Sequence, residues 1–471
     1  MKNRFNNLTS KEWLPFQKSW FKYTDDETLY KQNIRFFIKF DDAEKEPNLL
    51  FWGSAKKLKT IQKLEKELSF NLFTPDTVSK KDVLQFVLID FRDFLHEDSS
   101  FNNYLKLKKQ VLDFIFTLKN NLAHRKFISI HTPNLYHNNK FYPVAWDLAK
   151  TISSFYSLKD EKIGCFEQEN KNERIDFFKT SENHFYSLYF RNDEKSQYQI
   201  SNHTFPFFEH NTQINNKKEF NIFPSWYILK PKPRKKNEIL HPAKYPEDLA
   251  EMHIKAFTKG DENVFDPMSG TGTTQLAAMM LNRNGYGTEL SDFFCDIANE
   301  RCKHFKTENA NTAEYKILCK DARKIKPKDF PSIDYIITSP PYWDMLNMKG
   351  AENQAKRIKK GLQVNYSDNK EDLGNMSDYH DFLNDLTKIY YNLINLLKPG
   401  GYMTIVVKNI KKKGSNYPFA WDLSLKLQEK MILLPETFWL QDDISIAPYG
   451  YGNTFVSNTF HQYCLTFQKP L

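Results

Sequence analysis

The chain has 471 residues, 40% hydrophobic and 27% charged, the balance of a packed globular protein and not of a disordered one. Lysine and arginine (67) outnumber aspartate and glutamate (58) for a formal charge of +9, which suits a polyanionic partner and equally a lysine-rich solvated surface. No window is apolar for long enough to cross a bilayer, the N-terminus MKNRFNNLTSKEW lacks the core of a secretion signal, and the five cysteines (Cys165, Cys295, Cys302, Cys319, Cys464) form no C-x-x-C pair. Neither a metal site nor a disulfide framework is expected, and the chain reads as a cytoplasmic protein with no membrane partner.

The region before residue 240 has no glycine-rich loop but carries a repeat. "KFISIHTPNLYHNNKFYPVAWDL" (126–148) lies without gaps on "GYMTIVVKNIKKKGSNYPFAWDL" (401–423) at a constant offset of 275, with eight of 23 positions identical. Roughly one or two matches would arise by composition. The offset also pairs Tyr104 with Tyr379 and Glu161 with Glu436, and "HFYSLYF" (184–190) resembles "HQYCLTF" (461–467). This is a diverged internal duplication. "QFVLIDFRDF" (85–94) falls opposite "DYIITSPPYW" (334–343), so the first copy keeps a strand and loses two prolines. The expected organisation is an extension over 1–81 and a degenerate, DNA-binding or scaffolding duplicate over 82–225. A basic, proline-punctuated linker over 226–240 and a catalytic domain over 241–471 would follow.

The second half alternates strands and helices, the pattern of a mostly parallel sheet. "NVFDP" (263–267) reads as a strand, "GTTQLAAMMLNR" (272–283) as a helix and "GYGTELS" (285–291) as the next strand. "DFFCDIANERCKHF" (292–305) is helical, and "YKILCKDA" (315–322) and "IDYIIT" (333–338) are strands. "YHDFLNDLTKIYYNLINLLKPGG" (379–401) is an amphipathic helix stopped by Pro399-Gly400-Gly401; "YMTIVV" (402–407) and "HQYCLTF" close the series.

"FDPMSGTGTT" (265–274) is a cofactor loop: glycines at 270 and 272 allow a tight turn, and the following helix offers its N-terminal amides. No Lys-Ser or Lys-Thr follows, which disfavours a phosphate-gripping loop, and Asp266 suits a cationic ligand. Glu289, ending the next strand, is placed for both ribose hydroxyls, and Asp321, ending the third, for an adenine amino group. Singly, each acid could be a helix cap or surface charge. Together and in this order they suit S-adenosylmethionine.

"DPMSGTGTT", "TSPPYW", "HPAKYPEDLAEMHI" (241–254) and "LKPGGY" (397–402) together resemble the prokaryotic DNA amino-methyltransferases, which methylate the exocyclic nitrogen of cytosine (N4) or adenine (N6). The resemblance covers about residues 240–468 with the motif order of the γ-type arrangement. It implies an α/β fold, a Rossmann-like seven-stranded methyltransferase sheet preceded by a diverged partial copy. It assigns Asp266, Met268, Gly270, Gly272, Thr273, Glu289 and Asp321 to S-adenosylmethionine, with Tyr245 and Pro246 near its methionine moiety. Met268 stands where the family has Phe, a tolerable exchange of apolar volume.

Ser339-Pro340-Pro341-Tyr342 is the expected catalytic loop. An aromatic amine is a poor nucleophile because its lone pair is delocalised into the ring. Acceptors aimed at its hydrogens, Ser339 Oγ and the Pro340 carbonyl, favour a pyramidal nitrogen that can attack the methyl, and two prolines hold that carbonyl rigid. Tyr342, with Trp343, is expected to stack on the base, which must be flipped out of the duplex. In this family Ser before Pro-Pro goes mostly with cytosine N4, and Asp or Asn mostly with adenine N6. Carbon-5 methylation is disfavoured, since no cysteine follows a proline.

The basic insertion within 344–378, with Lys356, Arg357, Lys359 and Lys360, and "KNIKKKGSNYP" (408–418), with Lys411 and Lys412, are candidate double-stranded DNA contacts. The resemblance implies a nucleoid-associated modification enzyme, partnered by a restriction endonuclease where one exists. Because the first copy resembles only the catalytic half, the chain reads as catalytic half, cofactor half, catalytic half, a stage of circular permutation. An RNA base methyltransferase and a non-catalytic DNA-binding protein derived from a methyltransferase are the competing readings.

Overall fold

Segments such as Leu84–Asp90 (LQFVLID) carry apolar residues on both faces, so they are stable only as strands covered on both sides. The computed structural model describes residues 3–40, 46–138, 140–167, 183–193, 224–230, 245–344, 372–412, 414–442, 446, 451–453, 455 and 457–471. In the first half the strands are β1 (Trp20–Tyr23), β2 (Asn48–Trp52), β3 (Asn71–Phe73), β4 (Leu84–Asp90), β5 (Leu122–Thr132), β6 (Leu135–His137), β7 (Lys140–Tyr142), β8 (Ser157–Phe166) and β9 (His184–Arg191). In the second they are β10 (Trp226–Ile228), β11 (Asn263–Asp266), β12 (Asn284–Glu289), β13 (Tyr315–Cys319), β14 (Ile333–Thr338), β15 (Leu397–Val407), β16 (Ile410–Lys412), β17 (Ser415–Tyr417), β18 (Ile432–Leu433), β19 (Thr437–Leu440) and β20 (His461–Gln468).

The second-half sheet runs β10-β19-β20-β15-β14-β11-β12-β13, with β18 also beside β20. Within it β20 runs antiparallel to its neighbours β15, β18 and β19, and the other pairings are parallel. The first-half sheet runs β1-β8-β9-β5-β4-β2-β3, the same order with the same parallel and antiparallel pairings, less a counterpart of β13. Register fixes the correspondence residue by residue. Ile89 pairs with Ile130 as Thr338 pairs with Ile405, and Ile130 with Leu188 as Ile405 with Leu465.

This enlarges the duplication. The segment set apart as an extension, 1–81, supplies β1, β2 and β3 and the helices Asp26–Phe37 and Ala55–Leu68, the counterparts of β10, β11, β12 and the helices Glu247–Phe257 and Thr273–Met280. Residues 226–228, read as linker, form β10 on the edge of the second sheet. Among the described residues the first copy is therefore a nearly whole fold, short of counterparts to β13 and the helix before it, and the permutation reading is replaced by head-to-tail duplication. Sequence comparison missed these elements because strands of three to five residues retain too few identities once their loop chemistry is gone.

Two smaller corrections concern the second half. The long helix ends at Ile394, not at the Pro-Gly-Gly, and Leu397 already pairs with Ile333. Cys295, in the helix Asp292–Glu308, is disulfide-bonded to Cys319 at the end of β13, while Cys165, Cys302 and Cys464 are buried free thiols. That helix packs on β13, a tertiary proximity that no short cysteine spacing announces. No helix among the described residues is long and apolar enough to cross a membrane.

The halves pack about a pseudo-two-fold axis, and the repeated sequence supplies the contact. Asn134 Nδ2 donates to Glu436 at 2.7 Å, and Asn409 Nδ2 to Glu161 at 2.7 Å. Tyr186 donates to Glu436 at 2.6 Å, and Tyr463 to Glu161 at 2.7 Å. Each asparagine also accepts the amide of the alanine eleven residues on (Ala145, Ala420), both at 2.9 Å, which serves the first turn of the helices Val144–Ile152 and Phe419–Leu427. Trp146 stacks on Trp421 with centroids 6.2 Å apart, and buried Lys150 reaches Asp422 at 2.6 Å. One apolar cluster, including Val87, Ile130, Met403 and Leu465, runs through both halves.

Candidate active site

The second-half strands β11, β12, β13 and β14 end around one cavity of about 920 Å³, counting its mouth open to solvent. β11 ends at Asp266, and the chain then turns through Gly270 (φ 53°) and Gly272 (φ 76°) into the helix Thr273–Met280. A side chain at position 272 would put its Cβ 3.1 Å from the Ala298 Cα, so both dihedral and contact call for glycine. Asp266 is buried and accepts from Thr274 Oγ1 (2.6 Å), the Met268 amide (3.0 Å) and the Tyr245 hydroxyl (3.2 Å). Burial raises its pKa against those hydrogen bonds.

Glu289 closes the cavity from the end of β12, taking the Gly270 amide at 2.8 Å on one oxygen and the Ser291 amide at 2.9 Å on the other. Burial outweighs these two donors and, with the like charges of Asp266 and Asp372, pushes its pKa up to about 7. Asp321 also lines the cavity but is already bonded: the Arg323 guanidinium reaches it at 2.7 Å and the Arg323 amide at 2.9 Å. Its burial works against ionisation, and Arg323 reverses that and holds the pKa low.

Ser339 and Pro341 line this same cavity, so the loop after β14 and the glycine turn after β11 face one space. Tyr245, Met268 and Thr273 line it as well, whereas Pro246 precedes it as the cap of the helix Glu247–Phe257. Sequence reading missed Arg323, Asp372, Leu373 and Ile389, which complete the wall. Arg323 had a signal in its position two residues after Asp321. Asp372 and Leu373 were submerged in the long insertion.

The Tyr342 hydroxyl contacts Ser339 Oγ at 3.2 Å and donates to Gln462 Oε1 at 2.6 Å. Trp343 does not serve as a stacking platform: it is buried with a left-handed backbone (φ 49°), packed on Tyr379 and Tyr417, with Lys412 Nζ 3.6 Å from its ring centroid. Lys412 also bonds Asp344, and Lys411 bonds buried Asp160 across the two halves and Ser457 within its own. These lysines hold the fold together where free phosphate contacts were expected. Lys356, Arg357, Lys359 and Lys360 lie outside the described residues.

In the first half the equivalent space is filled. Asp90, at the position of Ser339, is fully buried and held by Tyr30 (2.7 Å), Lys57 (2.9 Å) and Arg92 (2.6 Å). Burial opposes its charge, and Arg92 and Lys57 overcome that and keep it ionised. Among the described residues, this ion cluster takes the place that Ser339 holds at the cavity of the second half.

The second-half cavity fits S-adenosylmethionine. Asp266 is a buried carboxyl and Glu289 a half-buried one, neither bonded to a cation among the described residues, and their raised pKa values are relieved by a positively charged ligand.

The chain is 51% identical over 65 residues to the orphan methyltransferase M.BamHII of Bacillus amyloliquefaciens (14% of this chain, 24% of that one). It is 33% identical over 93 residues to the type II methyltransferase M.BglII of Bacillus subtilis (20% and 26%). It thus spans about a quarter of the length of these two relatives. Among solved structures, TrmN from Thermus thermophilus superposes with a TM-score of 0.30 at 16% identity, covering 48% of this chain and 50% of that one. The profile of the DNA methylase family, N6/N4 type, matches residues 2–300 and 333–470, nearly the whole chain, which therefore belongs to that family.

Proposed function

We propose that the protein methylates the N4 amino group of cytosine in duplex DNA, with the base flipped out of the helix. The observation that carries this is the single cavity lined by both Asp266–Gly270 and Ser339. Bound there, S-adenosylmethionine supplies an electrophilic methyl carbon. Ser339 Oγ and the Pro340 carbonyl accept the amino hydrogens and localise the nitrogen lone pair. The nitrogen forms the new N–C bond as the C–S bond breaks, sulfur keeps the electron pair, and the surplus nitrogen proton leaves to water. Tyr342 takes the stacking role in this reading, because Trp343 is packed on Tyr379 and Tyr417.

The choice of cytosine rests on serine before Pro-Pro. The relatives named as type II methyltransferases support a place as the modification half of a restriction–modification or phage-defence system, with a cognate endonuclease as partner. The first half, with its own site filled, serves as scaffold and extends the DNA-facing surface. Nucleoside analysis of genomic DNA from cells expressing the protein or Ser339→Ala tests the reading. N4-methylcytosine with the intact serine alone is expected. N6-methyladenine in its place would overturn the base assignment, and no methylated base would overturn the activity.

A further inference from the structure

A hydroxyl that must accept from an amino group is useful only if its own proton points elsewhere. Ser339 Oγ lies 3.2 Å from the Tyr342 hydroxyl, and either oxygen could be the donor if the pair stood alone. It does not. The phenol proton is claimed by Gln462 Oε1 at 2.6 Å, with the Val406 carbonyl, a pure acceptor, at 3.4 Å. With that proton committed, the contact to serine requires the serine to donate to the phenol oxygen. Its lone pairs then face the cavity that Ser339 lines.

The first half is a built-in control. On the paired strands, His461 and Tyr463 match His184 and Tyr186, and all four serve the interface through Glu161 and Glu436. Gln462, between them on the opposite face of the strand, matches Phe185. There Arg92 lies over the Phe185 ring at 4.3 Å, and there is no acceptor to end a relay. The residues serving the interface are the same in both halves. The one that reaches the proline loop differs where the loop chemistry differs.

We infer that Gln462 is a positioning residue for methyl transfer: through Tyr342 it fixes the Ser339 hydroxyl as an acceptor toward the substrate amine. This rests on the amino-methyltransferase reading above. Burial also raises the Tyr342 pKa, so the phenol remains a donor through neutral pH.

The test compares wild type, Gln462→Leu, Gln462→Glu and Tyr342→Phe, and the Tyr342→Phe/Gln462→Leu double variant, in steady-state methylation of duplex DNA. Gln462→Leu should lower kcat about 10- to 100-fold with KM for DNA and cofactor within about threefold, as expected for a misdirected contact to the reacting group. Gln462→Glu, still an acceptor, should stay within about fivefold of wild type at pH 8. Adding Gln462→Leu to Tyr342→Phe should change kcat less than about twofold, because the relay is already cut. The inference is overturned if Gln462→Leu changes kcat less than threefold, if Gln462→Glu is as impaired as Gln462→Leu, or if Gln462→Leu is equally damaging without the phenol. A wild-type protein that methylates no base in DNA overturns the underlying reading instead, and this inference with it.

Discussion

Truncating Glu436 to alanine should destabilise the protein by about 4 kcal/mol, although the residue lies far along the chain from the groups it serves. Glu436 is fully buried, and its Oε1 receives Asn134 at 2.7 Å, Tyr186 at 2.6 Å and His184 at 3.1 Å, all three from the first half. Burial alone would raise its pKa, but His184 and Tyr186 lower it, so it is a carboxylate at neutral pH. Removing it leaves three buried donors unpaired at roughly 1–3 kcal/mol each. Partial relaxation brings the total to about 3–5 kcal/mol, the usual cost of deleting one partner of a buried charged network. At about 2–4 °C per kcal/mol for units of this size, Tm should fall by about 8–16 °C in thermal unfolding. The symmetry supplies the refutation. Glu161→Ala removes the mirror acceptor of Asn409 and Tyr463, with His461 Nε2 3.5 Å away, and should cost the same within about 1 kcal/mol. A loss below about 1 kcal/mol for either, or a twofold disparity between them, would show that these contacts do not bind the halves together.

Glu289, with its pKa near 7, should make cofactor affinity pH-dependent. Without ligand, the raised pKa gives stability present below the ordinary value of 4.5 and lost as pH rises through 7; cofactor binding favours the ionised form and releases a proton. Calorimetric Kd should therefore weaken about tenfold between pH 7.5 and 6, and Glu289→Gln should be flat over that range. Lys411→Ala should lower stability by about 1–3 kcal/mol by leaving buried Asp160 with one cation fewer, yet leave the salt slope of DNA binding unchanged; a slope reduced by about 1 would mark a phosphate contact instead. Thiol titration of the unreduced, unfolded protein should find three thiols, and reducing Cys295–Cys319, which spans 24 residues, should cost up to about 3 kcal/mol in urea unfolding; five thiols before reduction would contradict the pairing.

The glycine turn, the acids at the strand ends and the proline loop were legible because each is a local solution: the residue types needed for the bend or contact sit beside one another in the chain. The repeat too was legible, but its meaning was not. Asn134/Asn409, Trp146/Trp421 and Asp422 looked like remnants of a catalytic half, and their partners in space show them to be an interface. Lys411, Lys412 and Trp343 were misread for the complementary reason. A basic or aromatic residue near a site is an invitation to ligand only when no acid or ring of the same chain has already taken it, and Asp160, Asp344 and Tyr417 lie far away in sequence. Gln462 had no motif at all. Its place opposite Tyr342 follows from strand order.

Joining the two related folds in one polypeptide has an evolutionary corollary. In an assembly of identical subunits every exchange occurs twice, so the reacting centres must change in step. Here the partner's local concentration is set by the tether and not by expression, and the two loops were released from mirroring each other. One could fill with an Asp90–Arg92–Lys57 ion cluster while the other stayed open, and the glutamates and asparagines that hold the pair together still answer each other across the seam.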